Sequence, residues 1–166
     1  MMGQATCLVL GLALGLLTLA IIRFGLAPVV PAIGARIAAA AALPLWRRGV
    51  SIYVAAVGEE IAFRLLLLSG LVGLGARLVG RPLRATPPII WSANAASALA
   101  FALAHLPAWS QLGPPSPRLV IAVLALNAIG GLVLGRIFVG HGVGGAMWAH
   151  AGADCALQVL GPWLDG

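Results

Sequence analysis

Long apolar runs are the feature that most restricts the fold of this chain. Six runs follow one another with short interruptions, and each has about the 20 residues needed to cross the hydrocarbon core of a bilayer, except the third, which is longer. They cover residues 5–22, 27–45, 50–78, 89–106, 119–139 and 143–164. Because 61% of the 166 residues are hydrophobic and only 8% are charged, the chain falls outside the soluble class. The sequence predicts an all-α, polytopic transmembrane helical bundle that forms a single integral membrane domain.

The second run leaves the number of crossings open. Pro28, Pro31 and Arg36 interrupt it, so it is either a kinked span or a segment lying partly in the interface. The bundle is therefore predicted to have five or six spans. With six crossings, the arginines between the runs favour both termini lying outside. The side of the membrane that holds the loops after the first, third and fifth runs has more arginines than the opposite side. The first set is Arg23, Arg77, Arg81, Arg84 and Arg136, and the second is Arg47, Arg48 and Arg118.

Three charged residues lie in the middle of the third run, in IYVAAVGEEIAFRLLLL at residues 52–68. Inserting a charged side chain near the centre of a spanning helix costs about 2.5–3.5 kcal/mol of free energy. The presence of Glu59, Glu60 and Arg64 there therefore indicates a structural or chemical role. Residues four apart share a helix face, which predicts that Arg64 neutralises Glu60. Glu59 has no such partner on its own helix and is predicted to be the chemically active carboxylate.

Most of the other acids and histidines also fall inside apolar runs. His105 ends the fourth run, and His150 and Asp154 share a face of the last run, whereas Asp165 and His141 lie outside the runs. A soluble protein would distribute its polar residues the opposite way. We therefore expect a polar site inside the bundle, built from several helices.

The chemistry of this set fits the activation of water. A carboxylate in an apolar pocket is a stronger base than one in water, and an imidazole within reach assists it or returns the proton. A second histidine would stabilise an oxyanion. The same side chain types also bind zinc, and Glu59, His105, His150 and Asp154 would then be the ligands. The spacing does not separate a metal-free mechanism from one that uses Zn²⁺.

Three short motifs carry a resemblance to a known family. Residues 59–64 match EExxxR, residues 101–105 (beginning at Phe101) match FxxxH, and residues 150–154 resemble HxxxN. In this order they resemble the CPBP family of intramembrane endopeptidases, which includes the CAAX prenyl proteases. The resemblance covers residues 50–164, including a glycine-rich block at 130–145. Residues 1–45, which contain the first predicted helices, carry none of it.

The resemblance implies a role for each residue of the site. Glu59 and His105 would activate water, and His150 and residue 154 would stabilise the oxyanion. Glu60 and Arg64 would hold the site together. The family usually has asparagine where this chain has Asp154, and an ionised aspartate cannot donate a hydrogen bond to an oxyanion. Asp154 is therefore protonated, orients His150 or binds a metal.

The expected substrate is a protein or peptide with a lipidated or hydrophobic C-terminal tail, cleaved near the membrane. The short chain, rich in alanine, glycine and arginine and without lysine, is typical of a small bacterial member in the cytoplasmic membrane. Membrane lipid is an expected partner. Nucleic acid is not, because the arginines lie mostly between apolar runs rather than in a basic stripe. Cys7 and Cys155 do not belong to a cysteine or histidine cluster, so we expect them to be small buried residues.

Two functions from other classes compete with proteolysis. Carboxylates and histidines inside a membrane also relay protons, so a small proton- or ion-coupled transporter is one alternative. No inverted repeat supports it. A non-catalytic, immunity-type membrane protein with a decayed site is the other, and the presence of Glu59, His105 and His150 argues against decay. The motifs HExxH, GxGD and GxSG of other intramembrane proteases are absent from the sequence.

Overall fold

The computed structural model describes residues 3–80, 85–110 and 115–163, and the regular elements in these ranges are all helices. The predicted helical membrane bundle is confirmed, because four helical stretches are long and apolar enough to cross a membrane. Four residues named in the sequence predictions lie outside the described ranges. They are Arg81, Arg84, Leu164 and Asp165.

Six helices follow one another in the described ranges. They are α1 (Gln4–Leu26), α2 (Pro31–Ala41), α3 (Leu45–Leu78), α4 (Pro87–Ser110), α5 (residues 117–141) and α6 (residues 143–163). The helices α5 and α6 form one continuous helical stretch, which is broken at Gly142. Counted as two, they bring the long helices to five within the described ranges. Five long helices agree with the lower of the two predicted span numbers.

Gly142 reverses the direction of the chain between α5 and α6. Its φ of 73° and ψ of −179° belong to a region that only glycine occupies readily. Arg64 of α3 hydrogen-bonds the Gly131 carbonyl and pairs with Glu60, which in turn binds His150. Residues 131 and 150 would be about 28 Å apart in a straight helix, too far for one such network. The two helices therefore lie side by side.

The helix α2 is too short to cross the membrane. Its 11 residues extend only about 16 Å. Apolar residues at its N-terminal end pack into a cluster with the first turns of α5, and Arg36 anchors it to the end of α4. The Arg36 Nη1 donates to the Ala108 carbonyl at 2.7 Å, and the guanidinium lies 4.5 Å from the Trp109 ring centre. The second run therefore does not form the kinked span that was one of its two interpretations.

The first and last helices run parallel and in close contact. A Cβ atom on Gly11 would lie 2.6 Å from the Ala149 Cα, and one on Gly15 would lie 2.7 Å from the Ala153 Cα. These two glycines have the GxxxG spacing that lets helices approach this closely. Because α1 and α6 are parallel, the two ends of the described chain lie at opposite ends of the bundle. The arrangement with both termini on one side, which required six crossings, is wrong.

Candidate active site

One face of α3 is buried at every fourth residue. These positions are Ile52, Ala56, Glu60, Arg64 and Leu68. A repeat of four is longer than the 3.6 residues of an α-helical turn, and it coincides with a widening to π-type hydrogen bonds over Ala55–Leu68. π-Helical segments within α-helices occur often at functional sites. The inner face of α3 thus combines apolar packing with one buried acid and one buried base.

Glu60 and Arg64 form the predicted pair and connect α3 to two other helices. Their side chains are 0% and 1% exposed, and the Arg64 Nε lies 3.3 Å from the Glu60 Oε2. The Arg64 Nη2 donates to the Gly131 carbonyl of α5 at 3.3 Å, and the other Glu60 oxygen binds His150 of α6. Removing either charge would leave the other buried without a counter-ion, which is strongly destabilising. The pair therefore holds α3, α5 and α6 together.

The contact with Glu60 fixes the orientation of the His150 ring. The His150 Nδ1 lies 2.8 Å from the Glu60 Oε1, and a carboxylate beside a guanidinium acts as the acceptor, so Nδ1 donates this hydrogen bond. The other ring nitrogen, Nε2, then lies 3.8 Å from the Glu59 Oε2. His150 thus turns Nε2 towards the carboxylate that has no pairing arginine.

The backbone of Phe101 orients His105 in a similar way. The His105 Nδ1 lies 2.8 Å from the Phe101 carbonyl oxygen, which can only accept, so Nδ1 carries the proton. The His105 Nε2 lies 3.8 Å from the Glu59 Oε2. In the sequence, Phe101 stands out only as the first residue of the FxxxH motif. Its ring also lies 4.5 Å from the Arg64 guanidinium and 4.6 Å from the His105 ring, so it packs between the paired charges and the site.

Glu59 is the point on which the two histidines converge. Its Oε2 is buried, has no hydrogen-bond partner, and faces the Nε2 atoms of both imidazoles at 3.8 Å. This distance is too long for a direct hydrogen bond and suits a water molecule between the groups. The Glu59 and His105 side chains remain 32% and 28% exposed, so the site is open to a substrate.

Asp154 does not join this convergence. Its Oδ2 accepts a hydrogen bond from the Gln158 Nε2 at 3.2 Å. No hydrogen bond or ion pair within the described ranges links Asp154 to Glu59, His105 or His150. Gln158 was not predicted as a site residue, although its position one turn after Asp154 favours a contact between the two side chains. The carboxylate of Asp154 is thus held as an acceptor by its own helix.

Two buried polar side chains of α4 fix the helix that carries His105. The Ser97 Oγ donates to the Phe63 carbonyl of α3 at 2.6 Å, and the Asn94 Nδ2 donates to the Leu132 carbonyl of α5 at 3.1 Å. Both side chains are 1% exposed. The bonds hold α4 in register with both of its neighbours.

The four residues considered as zinc ligands do not form a site that fits the metal. Zinc ligands lie about 2.0–2.2 Å from the metal, which places tetrahedral neighbours about 3.3–3.6 Å apart. The Glu59 Oε2 is 3.8 Å from each Nε2, and Asp154 is bonded to Gln158. Across the residues described, no group of three potential ligands could hold an ion. We therefore derive no step through a metal.

Comparison with known proteins agrees with the motifs. The family model described as "Type II CAAX prenyl endopeptidase Rce1-like" matches residues 41–156, which is more than half of the chain. The matched range contains α3, α4, α5 and the part of α6 that carries His150 and Asp154. It begins at the last residue of α2 and leaves α1 outside. No curated protein and no solved structure matches the chain.

Proposed function

Because the chain belongs to the Rce1-like family of type II CAAX prenyl endopeptidases, we propose that it hydrolyses a peptide bond with water activated by Glu59 and His105. The convergence of both Nε2 atoms on the buried Glu59 Oε2 is the observation that carries this proposal. A carboxylate and an imidazole in this relation are the groups that general base and general acid catalysis require.

Proton transfer follows the orientation of the rings. Glu59 accepts a proton from water as the water oxygen attacks the carbonyl carbon of the scissile bond. His105, whose free Nε2 faces the same carboxylate oxygen, takes up this proton and returns it to the leaving nitrogen when the C–N bond breaks. His105 keeps its Nδ1 proton throughout and donates it in a hydrogen bond to the Phe101 carbonyl, which keeps the ring in position.

His150 supplies the charge that stabilises the tetrahedral intermediate. As an imidazolium it pairs with Glu60 through Nδ1 and donates from Nε2 to the oxyanion. This use of a carboxylate to orient and support a histidine is the logic of hydrolase triads. Asp154 lies one turn further along α6, where its negative charge favours the same imidazolium.

The substrate we propose has a lipidated or hydrophobic C-terminal tail and lies in a membrane, in keeping with the small bacterial membrane protein that the composition suggests. The depth of the site supports cleavage near the surface. His105 lies five residues before Ser110, the last residue of α4, or about 8 Å along the helix axis. The scissile bond would therefore lie close to the headgroup region, with the apolar tail in the bilayer.

A cleavage assay in isotopically labelled water tests this function. Purified protein in lipid vesicles is incubated with peptides that carry a farnesylated cysteine or an apolar tail near the C-terminus, and the products are identified by mass spectrometry in H₂¹⁸O. We expect cleavage at one bond and a single ¹⁸O atom in the new carboxylate. No product from any such tail, together with solute flux driven by a proton gradient, would contradict the proposal in favour of a transporter.

A further inference from the structure

We infer that α1, which lies outside the residues matched by the family, positions His150 for catalysis through close contact at Gly11. This inference rests on the proposed function for the activity it predicts. The structural part, that α1 sets the place of the His150 ring, can be measured without any substrate.

The contact between α1 and α6 leaves no space for a side chain. A Cβ atom on Gly11 would overlap the Ala149 carbonyl group, and a Cβ atom on Gly152 would lie 2.8 Å from the Leu12 nitrogen. The atoms met are backbone atoms, which cannot rotate away. Any added methyl group at Gly11 must therefore shift one helix relative to the other.

His150 lies directly beside this contact. It follows Ala149, which is fully buried, and precedes Gly152 by two residues, so its side chain projects about 100° from the face that α1 covers. A shift of α6 away from α1 therefore moves the His150 ring relative to α3. Cys7 reinforces the contact, since it is fully buried in a cluster that also contains Ala149.

The contacts of His150 with α3 leave its ring little freedom to move. The Nδ1 of His150 is already 2.8 Å from Glu60, and Glu60 is held by Arg64 on a fully buried face of α3. A displacement of α6 changes the length or angle of this hydrogen bond and the position of the His150 Nε2 relative to Glu59. Misplacement of a catalytic group by about 1 Å can reduce the rate by about 10²-fold.

The test compares Gly11→Ala with Gly25→Ala, which places the same substitution near the end of α1, where no atom lies within 4 Å of the new Cβ. We expect Gly11→Ala to lower kcat by about 10²-fold with little change in KM. We also expect it to shift the His150 Nδ1–H resonance in a ¹⁵N-histidine spectrum. Gly25→Ala should change neither. An unmoved resonance with unchanged kcat in Gly11→Ala would overturn the inference.

A second comparison separates positioning from general destabilisation. In a His150→Ala background the imidazole is absent, so Gly11→Ala should cause no further loss of the residual rate. A loss as large as in the parent would show that Gly11 acts through the fold as a whole. If Gly11→Ala does not fold, Cys7→Ala loosens the same contact by removing one atom and should lower kcat and shift the resonance in smaller measure. Unchanged values in that variant would also count against the inference.

The ¹⁵N-histidine spectrum distinguishes a failure of this inference from a failure of the proposed function. If the parent protein cleaves no tail, hydrolysis is wrong, and the resonance still reports whether α1 positions His150. If the parent cleaves and the resonance does not respond to Gly11→Ala, hydrolysis stands and the inference fails.

Discussion

His150 donates from Nδ1 to the Glu60 Oε1 at 2.8 Å, across α3 and α6 and 90 residues of sequence. Through this bond, one carboxylate serves both the fold and the site. It neutralises Arg64 in the interior of the bundle, and it turns the other ring nitrogen of His150, Nε2, towards Glu59. The two effects can be separated by substitution.

Replacing Glu60 by glutamine should destabilise the protein, because Arg64 is then buried without a counter-ion. We expect the free energy of unfolding to fall by about 3 kcal/mol, measured by thermal or denaturant unfolding in detergent. The double variant Glu60→Gln, Arg64→Met removes both charges and should recover much of this loss. It should stay poorly active, because His150 no longer faces a carboxylate. Full activity in the stable double variant would show that Glu60 only stabilises the fold.

Asparagine at position 154 should be tolerated. An amide can donate a hydrogen bond to the oxyanion, which an ionised carboxylate cannot do, so we expect Asp154→Asn to keep kcat within about threefold of the parent or to raise it. The measurement is steady-state cleavage in vesicles, with Asp154→Leu as the variant that can neither donate nor accept. A loss near 10²-fold in Asp154→Asn would show that the negative charge itself is needed.

Chelation should leave the activity unchanged, because Glu59, His105 and His150 do not have the spacing of metal ligands. The protein is treated exhaustively with phenanthroline and EDTA, the chelators are removed, and cleavage is measured before and after addition of Zn²⁺. Loss of activity that Zn²⁺ restores would contradict the metal-free mechanism.

Two glycines of α5 should respond to alanine with opposite signs. At Gly135 a Cβ atom would meet the Asn94 side chain, whose Cγ is 2.7 Å away, so we expect Gly135→Ala to lower the free energy of unfolding by about 1–3 kcal/mol. At Gly130 nothing lies within 4 Å, and alanine should stabilise the helix by about 0.5–1 kcal/mol. Unfolding in detergent measures both. Stabilisation by Gly135→Ala would contradict the observed packing of α4 on α5.

The sequence predicted what depends on composition and on spacing within one helix. The long apolar runs predicted the bundle, and the spacing of Glu60 and Arg64 predicted their pair. Contacts between side chains of different helices could not be predicted from the sequence. The turn of His150 towards Glu60 depends on the chain reversal at Gly142, whose backbone angles no local pattern specifies.

Two further features could not be read from the sequence for similar reasons. The second run was ambiguous because its prolines allow either a kink or a break, and only its packing against α5 and the bond from Arg36 to α4 decide that it ends after 11 residues. The role of Phe101 was missed because the group that orients His105 is a backbone carbonyl, which every residue type supplies.

The most direct test of the central claim is the rate of Glu59→Gln. Glutamine keeps the size and polarity of the side chain but cannot accept a proton from water, and Glu59 has no pairing arginine, so the melting temperature should change little. In single-turnover cleavage of a substrate in vesicles we predict a loss of at least about 10²–10⁴-fold. A Glu59→Gln protein that folds normally and cleaves at the parent rate would contradict the account.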